Sequence, residues 1–418
     1  MTRCTWRRIR VADLVASGDA EVKTGPFGTQ LHASDYVESG TPVINVRNIG
    51  FGGIRADKLE YIADETVRRL SGHLLHPGDI VFGRKGAVER HVLIRDRQSK
   101  WFQGSDCLRL RLRTNRVLPQ FLSYYLLTRD HQTWMMQQCS HGATMASLNQ
   151  DIVGRIEFSA PDPADQEAIA SILSAFDDLI ENNTRRIAIL GEMARRIYEE
   201  WFVRFRFPGH ENVRMVESEL GLVPEGWARE TLADCASVTM GQSPSSEFYN
   251  DKGEGLPFHQ GVTNFGRHFP THKMFCSSEG RLAEEGDILV SVRAPVGRIN
   301  LSPSRLVIGR GLCAVRSRTG QQTFLLHRLF ETFKEEDSMG NGAIFKAVSK
   351  QEVLGLPFLV PHAPLVAAFE EMATPFWSLI RNLTDKNINL RTTRDLLLPK
   401  LISGELSVEN IEIAREAP

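Results

Sequence analysis

The sequence predicts an α+β chain of two similar domains, each a mixed, partly curled β-sheet with helices. Each domain is followed by one long helix, and the two helices pair antiparallel as a coiled coil. Three observations predict this. The chain matches itself at an offset of 200 residues, its texture changes at the same point in each copy, and the second texture carries a coiled-coil apolar period.

The repeat is clearest where residues 141–190 align without gaps on 341–390. Gly142, Ala143, Val153, Phe158, Pro161, Phe176, Ile180 and Leu190 meet identical residues at Gly342, Ala343, Val353, Phe358, Pro361, Phe376, Ile380 and Leu390. Upstream, with gaps, Gly78-Asp79-Ile80 matches Gly286-Asp287-Ile288, Gly40-x-Pro42 matches Gly255-x-Pro257, and Trp6 matches Trp227. A period this long is a duplicated domain, not a solenoid. The expected boundaries are a first domain at 1–160, a long helix at 161–209, a linker and second domain at 210–360, a second long helix at 361–406 and a tail at 407–418.

Within the domains, short β-branched runs separated by Gly and turn residues read as strands: Thr41 to Val46, Asp79 to Phe82 and Asp287 to Val292. In the first helix Ile169, Leu173, Phe176, Ile180, Asn183, Ile187, Leu190, Ala194, Ile197 and Trp201 alternate steps of four and three. Asp162 can cap this helix, Pro163 suits its first position, and Phe207-Pro208-Gly209 ends it. The second seam runs through Phe369, Ala373, Phe376, Ile380, Leu383, Asn387, Leu390 and Leu397. Pro375 is expected to kink it or restart it after Thr374, and Pro399 to close it. Forty residues make a rod of about 60 Å, which needs a partner. Either each seam packs on its own globule or the two bury each other, with Asn183 and Asn387 fixing register.

Composition narrows the function classes. The 50 Lys+Arg nearly balance the 51 Asp+Glu, so charge must be read locally. Six scattered cysteines (Cys4, Cys107, Cys139, Cys235, Cys276, Cys313) have no metal-ligand spacing and fit a reducing cytosol. No apolar run reaches membrane-spanning length and the N-terminus leads into no signal-peptide core, so a cytoplasmic protein without membrane contact is expected.

Local charge is uneven. From Arg84 to Arg116 ten bases face three acids, 10 − 3 = +7, and from Ser291 to Arg318 six arginines face none, +6. Leu108-Arg109-Leu110-Arg111-Leu112-Arg113 alternates, so as a strand it sets three arginines on one face. That face is either a phosphate and guanine reader or a set of solvated or ion-paired side chains. Glycines and residues with amide or hydroxyl side chains populate the loops at 25–30, 45–48, 240–246 and 260–264, which differ between the copies. The candidate DNA contacts are Lys23, Thr29, Gln30, Arg47, Asn48, Arg84, Lys85, Arg109 and Arg111 in the first copy. In the second they are Gln242, Ser243, Gln260, Asn264, Arg293, Arg298 and Arg310. Replacing Arg109 and Arg111 with Ala is expected to weaken DNA binding and its salt dependence.

Catalytic signatures are sparse. The sequence holds no Gly-Lys pair, hence no P-loop, and no Gly-x-Gly-x-x-Gly. Asp13 with Glu21-Val22-Lys23 is a weak nuclease-like pattern that the second copy lacks. His73, His76, His131 and His141 lack metal spacing and are expected to be solvated or locally hydrogen-bonded. The competing readings are a stand-alone nuclease and a coiled-coil scaffold without nucleic acid.

The chain resembles the specificity (S) subunits of type I restriction–modification enzymes over nearly its whole length. The resemblance is carried by Ile197 to Gly209, by Asp395 to Leu406, by Gly221-Leu222-Val223-Pro224-Glu225-Gly226-Trp227, by Gly25-Pro26-Phe27-Gly28 and by the two Gly-Asp-Ile turns. It implies two target-recognition domains spaced by the paired helices, a bipartite asymmetric DNA target and no chemistry of the chain's own. It also implies docking to adenine methyltransferase (modification) subunits and to ATP-dependent restriction subunits. S-adenosylmethionine, ATP and Mg²⁺ then belong to those partners, and this chain needs no cofactor or metal. Outward helix residues Arg195, Arg196, Glu199, Glu200, Arg391 and Arg394 are the candidate docking contacts. Two readers on such a rod suit half-sites about 34 Å apart, one helical turn. Inserting four residues near Leu190 should then lengthen the preferred spacer or abolish binding.

Overall fold

The computed structural model describes residues 6–139, 146–218, 221–334 and 347–408. Cys4, His141, the Gly142-Ala143 and Gly342-Ala343 matches and most of the tail lie outside them. The chain divides into two units, Met1–Glu181 with Ile388–Pro418, and Asn182–Asn387. Each long helix contributes a stretch to each unit. No helix among the described residues is long and apolar enough to cross a membrane.

The first unit is organised on a five-stranded sheet in the order Ala20–Thr24, Cys107–Leu112, Ile80–Gly83, His91–Leu93, Phe51–Gly52. A four-stranded sheet runs Tyr36–Val37, Glu60–Ile62, Thr41–Ile44, Phe102–Gln103, its last pair parallel. Arg7–Arg10 pairs with Glu157–Ala160. The second unit repeats the plan. Its strands run Ala236–Met240, Leu312–Ser317, Ile288–Ser291, Ile299–Leu301 in one sheet. The other begins Tyr249–Asn250, Phe275–Cys276, Leu256–His259, Leu306–Ile308, again with a parallel pair, and Ala228–Thr231 pairs with Pro357–Val360. The sequence repeat is therefore a repeat of strand order and strand direction. Every strand expected from β-branched runs is present.

The first long helix runs Pro163–Tyr198 and widens into a π-turn at Glu199–Val203. Asp162 caps it, its carboxylate accepting the Asp165 backbone N–H at 3.1 Å. The second is continuous over Ala363–Ile402. Pro375 does not restart it, because Pro375 lies on an exposed face and the neighbouring turns are laced by Thr374 Oγ1 to Glu370 and Ser378 Oγ to the Thr374 carbonyl. Nor does Pro399 close it: its own carbonyl still accepts the Ser403 N–H at 3.0 Å. A proline removes only its own donor and disturbs the preceding turn, so three further residues stay helical.

Both alternatives for the seams hold at once. In the first unit Ile169 and Leu173 share a core with Leu398, Leu401 and Ile402 of the other helix and with Ile80, Leu108 and Phe121 of the globule. In the second unit Ile187 joins Ile380 and Leu383 on Ile288, Val290 and Val315, while Ala194, Tyr198 and Phe202 pack on Phe369 and Ala373. Within each unit the partners run in opposite directions, so the helices are antiparallel there. Asn183 and Asn387, both buried, meet directly at 2.9 Å, and Asn387 also donates to Thr184.

The signature ends of the helices cap the two tryptophans. Phe205 and Phe207 lie 5.3 and 5.7 Å from Trp227, ring centre to ring centre. Gly404, at φ +73°, lies flat on Trp6, whose ring a Cβ would meet at 3.0 Å.

Candidate nucleic-acid interface

The loops meet at one end of each unit because two glycines cross there. In the first unit a Cβ on Gly25 would overlap the Gly104 carbonyl oxygen, and one on Gly104 would overlap Asn45 Oδ1. In the second, Gly241 crosses Gly309 as closely, and Gly309 and Gly311 abut Gln260. Only glycine permits these approaches. They bring the 25–30, 45–48, 84–86 and 104–106 loops together in one unit, and the 241–246, 260–264, 292–293 and 309–311 loops together in the other. The close approach these glycines permit is to their own chain.

The polar loop residues divide by exposure. Thr29 and Gln30 are exposed, the Gln30 carbonyl held by Arg69 Nη1 at 2.7 Å. Arg47 is exposed and pairs with Glu60 at 2.6 Å. Lys85 is exposed and pairs with Asp106 at 3.2 Å; such surface pairs are worth at most about 1 kcal/mol and exchange readily for a phosphate. Arg84 beside it is half-buried. Lys23 Nζ donates to the Gly72 carbonyl at 3.0 Å. In the second unit Ser243 Oγ donates to Gln260 Oε1 at 2.9 Å and accepts the Arg310 N–H. Gln242, Gln260, Arg293, Arg298 and Arg310 are exposed, and Asn264 is half-buried. Lys85 and Arg293 occupy equivalent places, each bridging backbone to segments 200 residues apart in the repeat, at Ser147 and Ala347. A basic side chain stands at that spot in both units.

Three of the expected contacts belong elsewhere. Arg109 is 1% exposed, its guanidinium on Glu21 Oε1 at 3.1 Å and on the Gly72 carbonyl at 3.2 Å. Arg111 is clamped by both oxygens of buried Asp79, at 2.6 and 2.7 Å. Asn48 is fully buried, donating to the Arg55 and Asp57 carbonyls. The three arginines do share one strand face, but that face looks onto acids of neighbouring elements, and Arg113 also pairs with Glu21. The +7 segment is largely neutralised this way, with Arg95 on Asp178, Arg97 on Glu181 and Arg116 on Asp19. Partial burial would raise the Glu21 carboxyl, but the charge of Arg109, with Arg113 and Arg111, holds it below its usual range. Burial pulls Arg109 below its own.

These ion pairs explain the Gly-Asp-Ile turns. Asp79 accepts the His76 N–H at 2.8 Å and Arg111 beside it. Asp287 accepts the Glu284 N–H at 2.7 Å and Arg316 Nε at 2.5 Å. The same latch is built twice, from an aspartate before one strand and an arginine on the next. The two arginines follow their aspartates by 32 and 29 residues, and it is the sheet that brings them to the same register, Leu110 opposite Ile80 and Val315 opposite Ile288.

The nuclease-like trio does not assemble a metal site. Asp13 is exposed on the Val11–Ala16 helix, Glu21 is engaged by arginines, and among the described residues no group of three His, Cys, Asp or Glu side chains could hold a metal. His131 is buried rather than solvated, packed on Tyr125 and Trp134, and burial pulls it down to about 4.

Of the helix residues, Arg195 and Arg196 both reach Glu192, Arg195 also pairs with Glu199, and Glu200 holds Arg204. Arg391 is exposed. Arg394 pairs with Asp177 at 2.5 Å in the wall of a cleft of about 1220 Å³ that Tyr124, Arg95 and Arg97 also line.

The family described as "Type I restriction modification DNA specificity domain" matches residues 34–190. A putative type I restriction enzyme MjaX specificity subunit of Methanocaldococcus jannaschii is 28% identical over 377 residues, 88% of each chain. The type I restriction enzyme MjaIX specificity subunit of the same organism is 26% identical over 308 residues, 71% of each. The fold is shared with the type I restriction–modification S subunit of M. genitalium at a TM-score of 0.60, with 16% identity over 96% of this chain and 97% of that one.

Proposed function

Because this chain belongs to the family of type I restriction–modification specificity subunits, we propose that it reads a bipartite, asymmetric double-stranded DNA target, one half-site with the loop cluster of each unit. The observation that carries this reading is the doubled cluster itself. One scaffold is built twice, with the same glycine crossing and the same Asp–Arg latch, yet its tips carry different side chains: Thr29, Gln30, Arg47 and Lys85 in one, Gln242, Ser243, Gln260, Arg293 and Arg310 in the other. Equal scaffolds with unequal tips suit two unlike half-sites. Lys85 and Arg293 are the phosphate anchors, and the amide and hydroxyl groups beside them are the base readers.

In this reading the paired helices set the spacer between half-sites, and their outward faces, with Arg195, Arg196, Glu199, Glu200, Arg391 and Arg394, dock the modification subunits. Restriction subunits join that assembly. Methyl transfer and ATP-driven cleavage are the partners' work, so this chain contributes affinity and register only.

The test is binding of the full chain, with its methyltransferase partner, to target and non-target duplexes across a salt series. Target affinity should exceed non-target affinity by roughly a thousandfold or more, and both should fall linearly on a log–log plot. Equal affinity for all duplexes would refute the specificity role; cleavage by the chain with Mg²⁺ alone would favour a nuclease.

A further inference from the structure

We propose that the Phe27 ring is a wedge that enters the base stack of the half-site read by the first unit, and that the second unit reads its half-site without one. The inference rests on the DNA-binding reading above.

Phe27 is 60% exposed, more than any other Phe, Tyr or Trp described. Its nearest rival, Phe51, lies under the Arg90 guanidinium, 5.4 Å from the ring centre. Among the described residues no ring or cation covers Phe27. An apolar ring kept in water is ordinary when its loop is loose, but this loop is held at both ends. Gly25 donates to the Cys107 carbonyl at 2.9 Å and crosses Gly104 too closely for any side chain, and Pro26 is buried. Beyond the ring, the Phe27 carbonyl accepts the Gln30 and Leu31 N–H groups at 2.8 and 3.1 Å. Leu31 is buried, and Arg69 ties the Gln30 carbonyl to Asp35. The fold therefore mounts the ring rigidly and leaves it uncovered, with exposed Thr29 and Gln30 alongside.

That is what a wedge requires. An apolar side chain can separate stacked base pairs and kink the duplex, and a mount ordered beforehand avoids the cost of ordering it on binding. Gln30 and Thr29 flank the ring where they would meet the edges of the unstacked pairs.

The glycine crossing aligns Gly25 with Gly241, which puts Ser243 at the place of Phe27. Ser243 is small, polar and half-buried, its hydroxyl donating to Gln260 Oε1 and accepting the Arg310 N–H. The second unit has no ring there to insert, so the distortion is confined to one half-site.

The experiment uses the full chain with its methyltransferase partner and a duplex carrying the target recovered by mapping methylated adenines. 2-Aminopurine is placed in turn at each position of both half-sites. The wild type should raise its fluorescence at one step of one half-site. Phe27→Ala should abolish that rise and weaken binding about tenfold, within the range of aromatic–base stacking, while its melting curve stays that of the wild type. Phe27→Leu should keep a fraction of the signal. A wild type that binds while Phe27→Ala gives the same fluorescence and affinity overturns the wedge and leaves the DNA-binding reading intact. A wild type that fails to bind the duplex overturns both. Loss of the methyltransferase from Phe27→Ala, with the fluorescence unchanged, would assign the ring to that partner instead and overturn the wedge.

Discussion

Arg111→Ala separates a structural arginine from a DNA-binding one. Asp79 is 1% exposed, and its carboxylate is satisfied by Arg111 Nε and Nη2 at 2.6 and 2.7 Å and by the His76 N–H at 2.8 Å. The hydrogen bonds that Arg111 donates to Asp79, with the charge of that carboxylate, push the Arg111 guanidinium above its usual range despite its burial. Removing Arg111 leaves a buried carboxylate with one donor, a loss of about 3–5 kcal/mol. With a urea slope of about 2 kcal/mol/M for a unit of this size, the midpoint of the first unit should fall by about 2 M. The counterpart, Arg316→Ala, should cost about 1 kcal/mol, because the Arg316 side chain is 48% exposed and water replaces it. The assay is urea denaturation of both variants, with the salt dependence of DNA binding measured on the folded protein. The salt slope of Arg111→Ala should equal that of the wild type. An unchanged midpoint together with a slope reduced by about one would refute this reasoning and restore Arg111 as a phosphate contact.

Other outcomes follow from the same distances. Lys85→Ala and Arg293→Ala should each lower the salt slope by about one without changing the melting temperature, measured by fluorescence anisotropy and calorimetry. Asn183→Leu should destabilise by about 1–3 kcal/mol because Asn387 loses its buried partner, whereas Asn183→Leu with Asn387→Leu should recover most of that in thermal melts. Burial holds His268 and His259 down at about 4 and His327 at about 3. Their folded values lie below the unfolded value near 6.5, so the unfolded chain takes up protons first. Stability is then full above about pH 6.5 and falls as pH drops toward 4. Neither His268 ring nitrogen has a hydrogen-bond partner among the described residues, and the ring packs on Trp377. His268→Phe should therefore flatten the acid limb of a stability–pH profile.

Much of the fold was legible because its signals are periodic. The seams from Ile169 and from Phe369, the Asp162 cap and the repeat at offset 200 depend on spacing alone, and spacing survives divergence. The prolines misled because a helix bound on two sides by other elements keeps its path through Pro375 and Pro399. The candidate site was less legible. Alternation put Arg109 and Arg111 on one strand face, but which way that face looks is decided by Glu21 and Asp79, each more than 30 residues away in the chain. Local charge counting cannot see acids that arrive from elsewhere in the fold. Asn48 failed for a related reason: a side-chain amide in a loop serves its own turn as readily as a ligand. Gly25 was noticed, but its crossing partner Gly104 was not, since no local pattern marks a backbone approach across 79 residues of chain.

The most direct measurement of the central claim is the pattern of methylated adenines in cells that carry this chain and the methyltransferase subunit proposed as its partner, compared with cells in which residues 210–360 come from a different type I specificity subunit. The account predicts two short defined tracts separated by an unspecified spacer, with the exchange altering one tract and leaving the other tract and the spacer unchanged. A single uninterrupted tract, or an exchange that rewrites both tracts together, would contradict it.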